Sequence, residues 1–297
     1  KPIIFATGKI KKKTIKDVQT GLRISQREFG RYGPLHLFLV GIKDPKARDL
    51  AIAYCNSQKY AGLEKDTATC VNTKSKEYSK YDCCGAAHDP AEPFAEVRYQ
   101  SVSYSGSNIS SDEGRLVATT IHEYVHVFQD SFIVWGNDLA AERAGLVEDY
   151  SPGPVWLEEG VAEYLGTRIA YENGHFNRYP NMMREYLESA RRVRNDFKLS
   201  LRDVETRKGQ ARVQKICDGC GGMLYYDTGT WAGLYLESLV GREQLINYYK
   251  QIPYKGWRDS FASAFGMTLD QFYSKFGKFM KKPIDNQMKL LDKKTNL

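Results

Sequence analysis

No uninterrupted apolar run in this 297-residue chain approaches the roughly 20 residues that a membrane-spanning helix needs, and no signal-peptide-like apolar segment stands at its start. A soluble globular chain without a membrane span is the expectation. Nucleotide-binding, Ser-His-Asp and Cys-His signatures are lacking too, which removes the commonest alternatives for carrying chemistry. The net charge of +7 invites a nucleic-acid reading, yet no nucleic-acid motif accompanies it. Apart from Lys9, Lys11, Lys12, Lys13 and a basic C-terminal tail, the basic residues are scattered, as on a solvated surface. No nucleic-acid partner is expected. No Pro/Gly/Ser-rich linker and no internal repeat divides the chain.

What is present is enough apolar residue, 42%, to fill a sizeable core. Six cysteines, Cys55, Cys70, Cys83, Cys84, Cys217 and Cys220, make an even count that favours disulfides in a secreted or periplasmic protein. Lys1 in place of Met fits removal of an upstream segment. A zinc ribbon needs two spaced pairs, and adjacent Cys83 and Cys84 do not aim readily at one ion. The expected bridges link the four cysteines between residues 55 and 84 among themselves and to the Cys217/Cys220 knuckle, with connectivity open.

Pro34 to Ile42 reads as a buried strand, Ala47 to Tyr54 as a helix, and Asn56 to Pro93 as polar loop or short strands. Phe94 to Tyr104 alternates as a half-buried strand does. Ser110 and Glu113 have capping-box spacing, so a long helix is expected from there to about Asp130. A Gly/Pro/Ser-containing loop follows, and Pro154 is placed to open the next helix. Beyond it, helical spacing recurs in 181–197, 226–240, 243–252, 257–265 and 269–281. The composition therefore shifts from mixed α/β, residues 1–131, to all-helical, residues 132–297.

Within the long helix stands His122-Glu123-Tyr124-Val125-His126, an H-E-x-x-H match. Residues four apart share a helix face, so both imidazoles can reach one zinc ion, while Glu123 can touch a water beside it. Five histidines in the whole chain make this spacing informative. Apolar Ile121, Val125, Val127 and Phe128 argue that the helix is buried, and buried histidines need partners. Catalytic zinc usually takes three protein ligands and leaves one position open. Glu158 and Glu159, in Val155-Trp156-Leu157-Glu158-Glu159-Gly160-Val161-Ala162-Glu163-Tyr164, are the candidates for the third.

Here the chain resembles the gluzincins, the metallopeptidases that include thermolysin, the bacterial collagenases and the zinc aminopeptidases, whose second signature is a W-L-x-E-G-x-A-E-like helix. The resemblance implies Glu159 as third ligand, with Glu158 at a variable position. It also implies Glu163 as the acid that accepts a hydrogen bond from His122. Tyr226-Asp227-Thr228-Gly229, followed by Leu234 to Gly241, resembles the Y-x-x-G and helix of the zinc aminopeptidases. That likeness gives Tyr226 the role of oxyanion donor, with Tyr225 as the alternative. The likeness spans about residues 94–280, and the G-x-M-E-N run that holds a free amino terminus in aminopeptidases is absent.

The implied protein is α+β, a zincin-like catalytic domain with an N-terminal mixed sheet, an active-site helix and a helical C-terminal lobe. It would be a zinc (Zn2+) metallopeptidase in which Glu123 activates water and peptides or proteins are the substrates. The alternative is a non-catalytic zinc protein that binds peptides or a partner. His36 and His88 are expected to be structural or surface residues, and Phe94 to Tyr104 to be the sheet edge that pairs with substrate.

Overall fold

Lysine-rich as it is, Lys12–Phe29 folds as helix α1 because Thr14, Val18, Gly21, Leu22, Ser25 and Phe29 recur at helical spacing and are buried. The computed structural model describes residues 2–8, 10–41, 43–60, 66–80, 85–89, 100–105, 114–132 and 153–292. The protein is mixed α/β and mainly helical, with one small sheet. It divides into two compact units, Lys1–Ser131 with Glu172–Phe176, and Phe132–Tyr171 with Asn177–Leu297. No helix among the described residues is long and apolar enough to cross a membrane.

The first unit holds strands β1 (Ile3–Ala6), β2 (Leu35–Val40), β3 (Gly85–Asp89) and β4 (Gln100–Ser105) in the order β1-β2-β4-β3. β1, β2 and β4 run parallel, and β3 runs antiparallel to β4. β2 is apolar on both faces, and burial follows: Phe38 and Val40 pack with Leu50, Ala51 and Tyr54 of helix α2 (Ala47–Tyr60), while Leu35, Leu37 and Leu39 are buried opposite. Helix α3 (Thr67–Lys80) adds Val71 and Tyr78 to the same core.

Helix α4 (Arg115–Asp130) packs along α1. The approach is close because Gly21 has no side chain: a Cβ there would sit 2.6 Å from Cβ of Thr120. The Tyr124 hydroxyl donates to the Gly30 carbonyl at 2.7 Å and fixes the far end of the pair. Gly114, in the left-handed region at φ 83°, begins the helix, and a Cβ there would collide with the His175 carbonyl oxygen.

Three expectations change. Asn56 to Pro93 is not loop and strand alone, since α2 extends to Tyr60 and α3 is a helix whose few apolar residues hide its period in a polar sequence. β4 lies between β2 and β3, so the segment ending at Tyr104 is interior to the sheet and cannot pair with a substrate as an edge; Phe94 to Arg98 and Tyr99 fall outside the described residues. The edge on that side, among the described residues, is β3. Cys217 is bonded to Cys220 and Cys55 to Cys70, so the knuckle closes on itself; Cys83 and Cys84 lie outside the described residues, as do Ser110 and Glu113 of the expected capping box.

The second unit is built on helices α5 (Val155–Glu172), α6 (Tyr179–Phe197), α7 (Arg207–Ile216), α8 (Gly229–Val240), α9 (Arg242–Phe265), α10 (Leu269–Met280) and α11 (Ile284–Met288). α9 bends at Gly256, whose φ of 72° is non-helical, three residues after Pro253. A π-helix, Met223–Thr228, runs directly into α8. Trp156 stacks on Phe272 at 5.2 Å and donates its indole N–H to the Tyr273 hydroxyl at 3.1 Å, which anchors the start of α5 to α10. α5 and α8 cross in near backbone contact, because Gly160 faces Gly229: a Cβ on Gly160 would lie 2.4 Å from Cα of Gly229.

Gly160→Ala is therefore expected to lower stability by about 1–3 kcal/mol through overpacking against backbone that cannot move aside. Gly277→Ala, in α10 where an added Cβ meets nothing within 4 Å, is expected to raise it by about 0.5–1 kcal/mol through helix propensity. Urea unfolding followed by circular dichroism measures both, and equal effects would contradict the packing account.

Candidate metal centre

Every residue of α4 from Leu116 to Asp130 except Thr119 is buried, so His122, Glu123 and His126 are held on a helix with no freely solvated face. Because side chains four apart stack along one face, the Nε2 atoms of His122 and His126 come to 3.1 Å. A tetrahedral zinc ion with Zn–N of about 2.0–2.1 Å separates two ligand nitrogens by about 3.3–3.4 Å, so this spacing is close to that of a shared ion.

The tautomer of His126 follows from its other nitrogen. Nδ1 lies 2.8 Å from Oε1 of Gln129, an oxygen that can only accept, so Nδ1 carries the proton and Nε2 presents a lone pair. Gln129 is itself completely buried. His126 is further held by His88 of β3, whose ring stacks on it at 6.2 Å and 17° and whose Nδ1 lies 3.3 Å from Oδ2 of Asp130. His88 is thus structural, but in direct support of the candidate site. His36 sits elsewhere, bonded to Ser57 and edge-on to Phe5, with burial lowering its pKa.

Glu123, 5% exposed, lies close enough to β4 for its charge to act on the Tyr104 phenol. Burial, more than that charge, raises the Tyr104 pKa, and a hydrogen bond with Thr120 opposes the rise.

Glu159 stands on the first turns of α5. One ligand atom each from His122, His126 and Glu159 lie within 4.8 Å of one another, a set of two imidazoles and a carboxylate that suits a divalent transition metal. No second such group occurs among the described residues. The charge of adjacent Glu158 reaches the buried Tyr248, whose pKa is raised by burial first, then by Tyr249 and Glu158. Cys217 and Cys220, bonded to each other, have no thiolate to offer, and His175 is exposed.

One turn after Glu159, the buried carboxylate of Glu163 accepts a hydrogen bond from the Tyr186 hydroxyl at 2.9 Å. Tyr226 lies in the π-helix and is 39% exposed. The Gly160–Gly229 contact draws the end of that π-helix against the turn that carries Glu159. Tyr225 instead folds back beside Gly221, with its pKa raised by burial.

Gln129, His88 and Asp130 were not singled out from the sequence as parts of the site. Gln129 had a local signal, since it follows His126 by three residues on the same helix. His88 had none, because only the sheet brings it there.

Burial pushes the Asp227 carboxyl up to about 6, with the charge of Glu163 adding to the rise and Ser189 and Arg192 opposing it. A carboxyl that binds its proton more tightly in the folded state favours folding at low pH and opposes it once ionised. That contribution is complete below pH 3.8 and lost as pH rises through about 6. Asp227→Asn should therefore gain stability relative to the parent between pH 4 and pH 7, by up to about 3 kcal/mol. Paired urea titrations at the two pH values check it; a constant difference would show that Asp227 titrates normally. Comparison of the chain with family models, curated proteins and solved structures found no match.

Proposed function

We propose that the protein is a zinc-dependent metallopeptidase of gluzincin type, with a zincin-like catalytic fold, acting on peptides or proteins outside the cytoplasm. The observation that carries this reading is the grouping of His122, His126 and Glu159, two ligands from an H-E-x-x-H helix and one from a W-L-x-E-G helix. His122, His126 and Glu159 would hold the ion, with the His126 tautomer set by Gln129. Bound there, zinc lowers the pKa of a water ligand and polarises a carbonyl.

The chain's own groups supply the rest. Glu123, next to the first histidine and buried, takes the proton of the attacking water and passes it to the departing amine. Tyr226 donates its hydroxyl to the oxyanion of the tetrahedral intermediate, and its partial exposure leaves that hydroxyl reachable by substrate. Glu163 accepts from the His122 ring and raises its basicity. With β4 interior, an extended peptide pairs with β3 instead. Two disulfides support a location outside the cytoplasm. The alternative, a purely structural zinc site, calls for a fourth protein ligand, whereas the group among the described residues has three.

Glu123→Gln is expected to retain stoichiometric zinc and lose at least about 1000-fold in turnover of casein or gelatin. Metal analysis with a digestion assay tests this, and full activity in the variant would remove Glu123 as the base. Gln129→Ala is expected to weaken zinc binding about 10–100-fold. Chelator competition measures it, and unchanged affinity would mean that the Gln129 bond does not tune His126.

A further inference from the structure

The second unit contains a cavity of about 380 Å³ that the proposed chemistry does not use. Its floor is apolar: Leu199, Leu224, Phe276 and Met280 are all buried. Its rim is cationic. Arg194, Arg202 and Lys281 line it against a single carboxylate, Asp270.

Asp270 is committed to Arg202, which it meets at 2.5 Å, and the Arg202 guanidinium also lies over the Tyr273 ring at 4.9 Å. Arg194 donates to the Met280 carbonyl and to Asn195, both neutral, and no carboxylate pairs with Arg194 or Lys281 among the described residues. Burial and the nearby charge of Arg191 together disfavour the Arg194 cation. An anion at the rim offsets that cost.

A second observation points to the same place. Gly277 sits inside α10 and lines the cavity, and an added Cβ would meet nothing within 4 Å. Glycine inside a helix is unfavourable relative to alanine, and neither a close approach nor an unusual backbone angle calls for it here. Its effect is to leave the cavity open.

We propose that this cavity binds a small apolar monocarboxylate, its hydrocarbon chain on the Leu224–Phe276–Met280 floor and its carboxylate at the Arg194–Lys281 rim. At about 30 Å³ per heavy atom the volume admits roughly a dozen, the size of a ten-carbon fatty acid.

Calorimetric titration of the full chain with decanoate, and with decylamine as the cation of equal length, tests the assignment. Saturable 1:1 decanoate binding is expected, at least tenfold tighter than decylamine. Gly277→Leu, which fills the cavity, should weaken decanoate at least tenfold, and the exposed charge reversal Lys281→Glu should weaken it at least threefold while leaving the thermal transition in place. Absence of saturable decanoate binding, equal affinity for decylamine, or unchanged binding in both variants would overturn the proposal.

Discussion

Two imidazole nitrogens facing each other at 3.1 Å inside a buried helix set the terms for the rest of the site. The side-chain oxygen of Gln129 accepts a hydrogen bond from Nδ1–H of His126, so the Nε2 of that ring brings a lone pair to the meeting point. At that distance His122 can donate an N–H to the lone pair, and a shared cation would instead take both nitrogens as ligands. The helix can hold this arrangement because other residues satisfy the demands of its polar groups: Thr120 returns its hydroxyl to the Leu116 carbonyl, Tyr124 bonds Gly30, and Asp130 meets His88. Polar groups at such density in a helix otherwise lined by Leu, Val, Ile and Phe are costly to bury, and their pairing keeps that cost within bounds.

In the second unit, glycine does the corresponding work. Gly160 and Gly229 give up side chains so that two helices meet backbone to backbone, and Gly233 continues the contact against Tyr164, where an added Cβ would lie 3.1 Å from Cβ of that tyrosine. This makes physical sense of two glycines that a motif records only as letters. One follows Glu159 directly and the other closes the π-helix that holds Tyr226, so the contact sets the spacing between their helices. The aromatic packing of Trp156, Phe272, Tyr235 and Phe276 then keeps the crossing from sliding.

What was legible in the sequence was local. The i,i+4 histidines, the end of α4 at Asp130 and the helices after Pro154 depend on neighbours within a turn or two, and their periods stand in the residues themselves. What was not legible depends on distant pairing. Alternation identifies the segment of β4 as a strand but cannot say whether it lies inside a sheet or at its edge, because that is decided by where β3 returns. His88 reaches His126 only through that return. α3 escaped because a helix that buries little beyond Val71 and Tyr78 needs few apolar residues and so leaves a weak period. The Cys217–Cys220 bridge spans a separation of three, which a search for long-range staples passes over.

The buried acids of the second unit meet partners of different kinds. Glu237, 1% exposed, is met by Nε and Nη2 of Arg242 at 3.1 and 3.2 Å, so its charge is cancelled by a cation fixed five residues away. That pair holds the end of α8 and does nothing that requires a charge to remain available. Glu163 is met by a different kind of group, the Tyr186 hydroxyl, which donates to its carboxylate at 2.9 Å. Its negative field persists far enough to help raise Asp227 to about 6. Desolvating a carboxylate costs free energy, and the hydrogen bond from the Tyr186 hydroxyl offsets part of that cost.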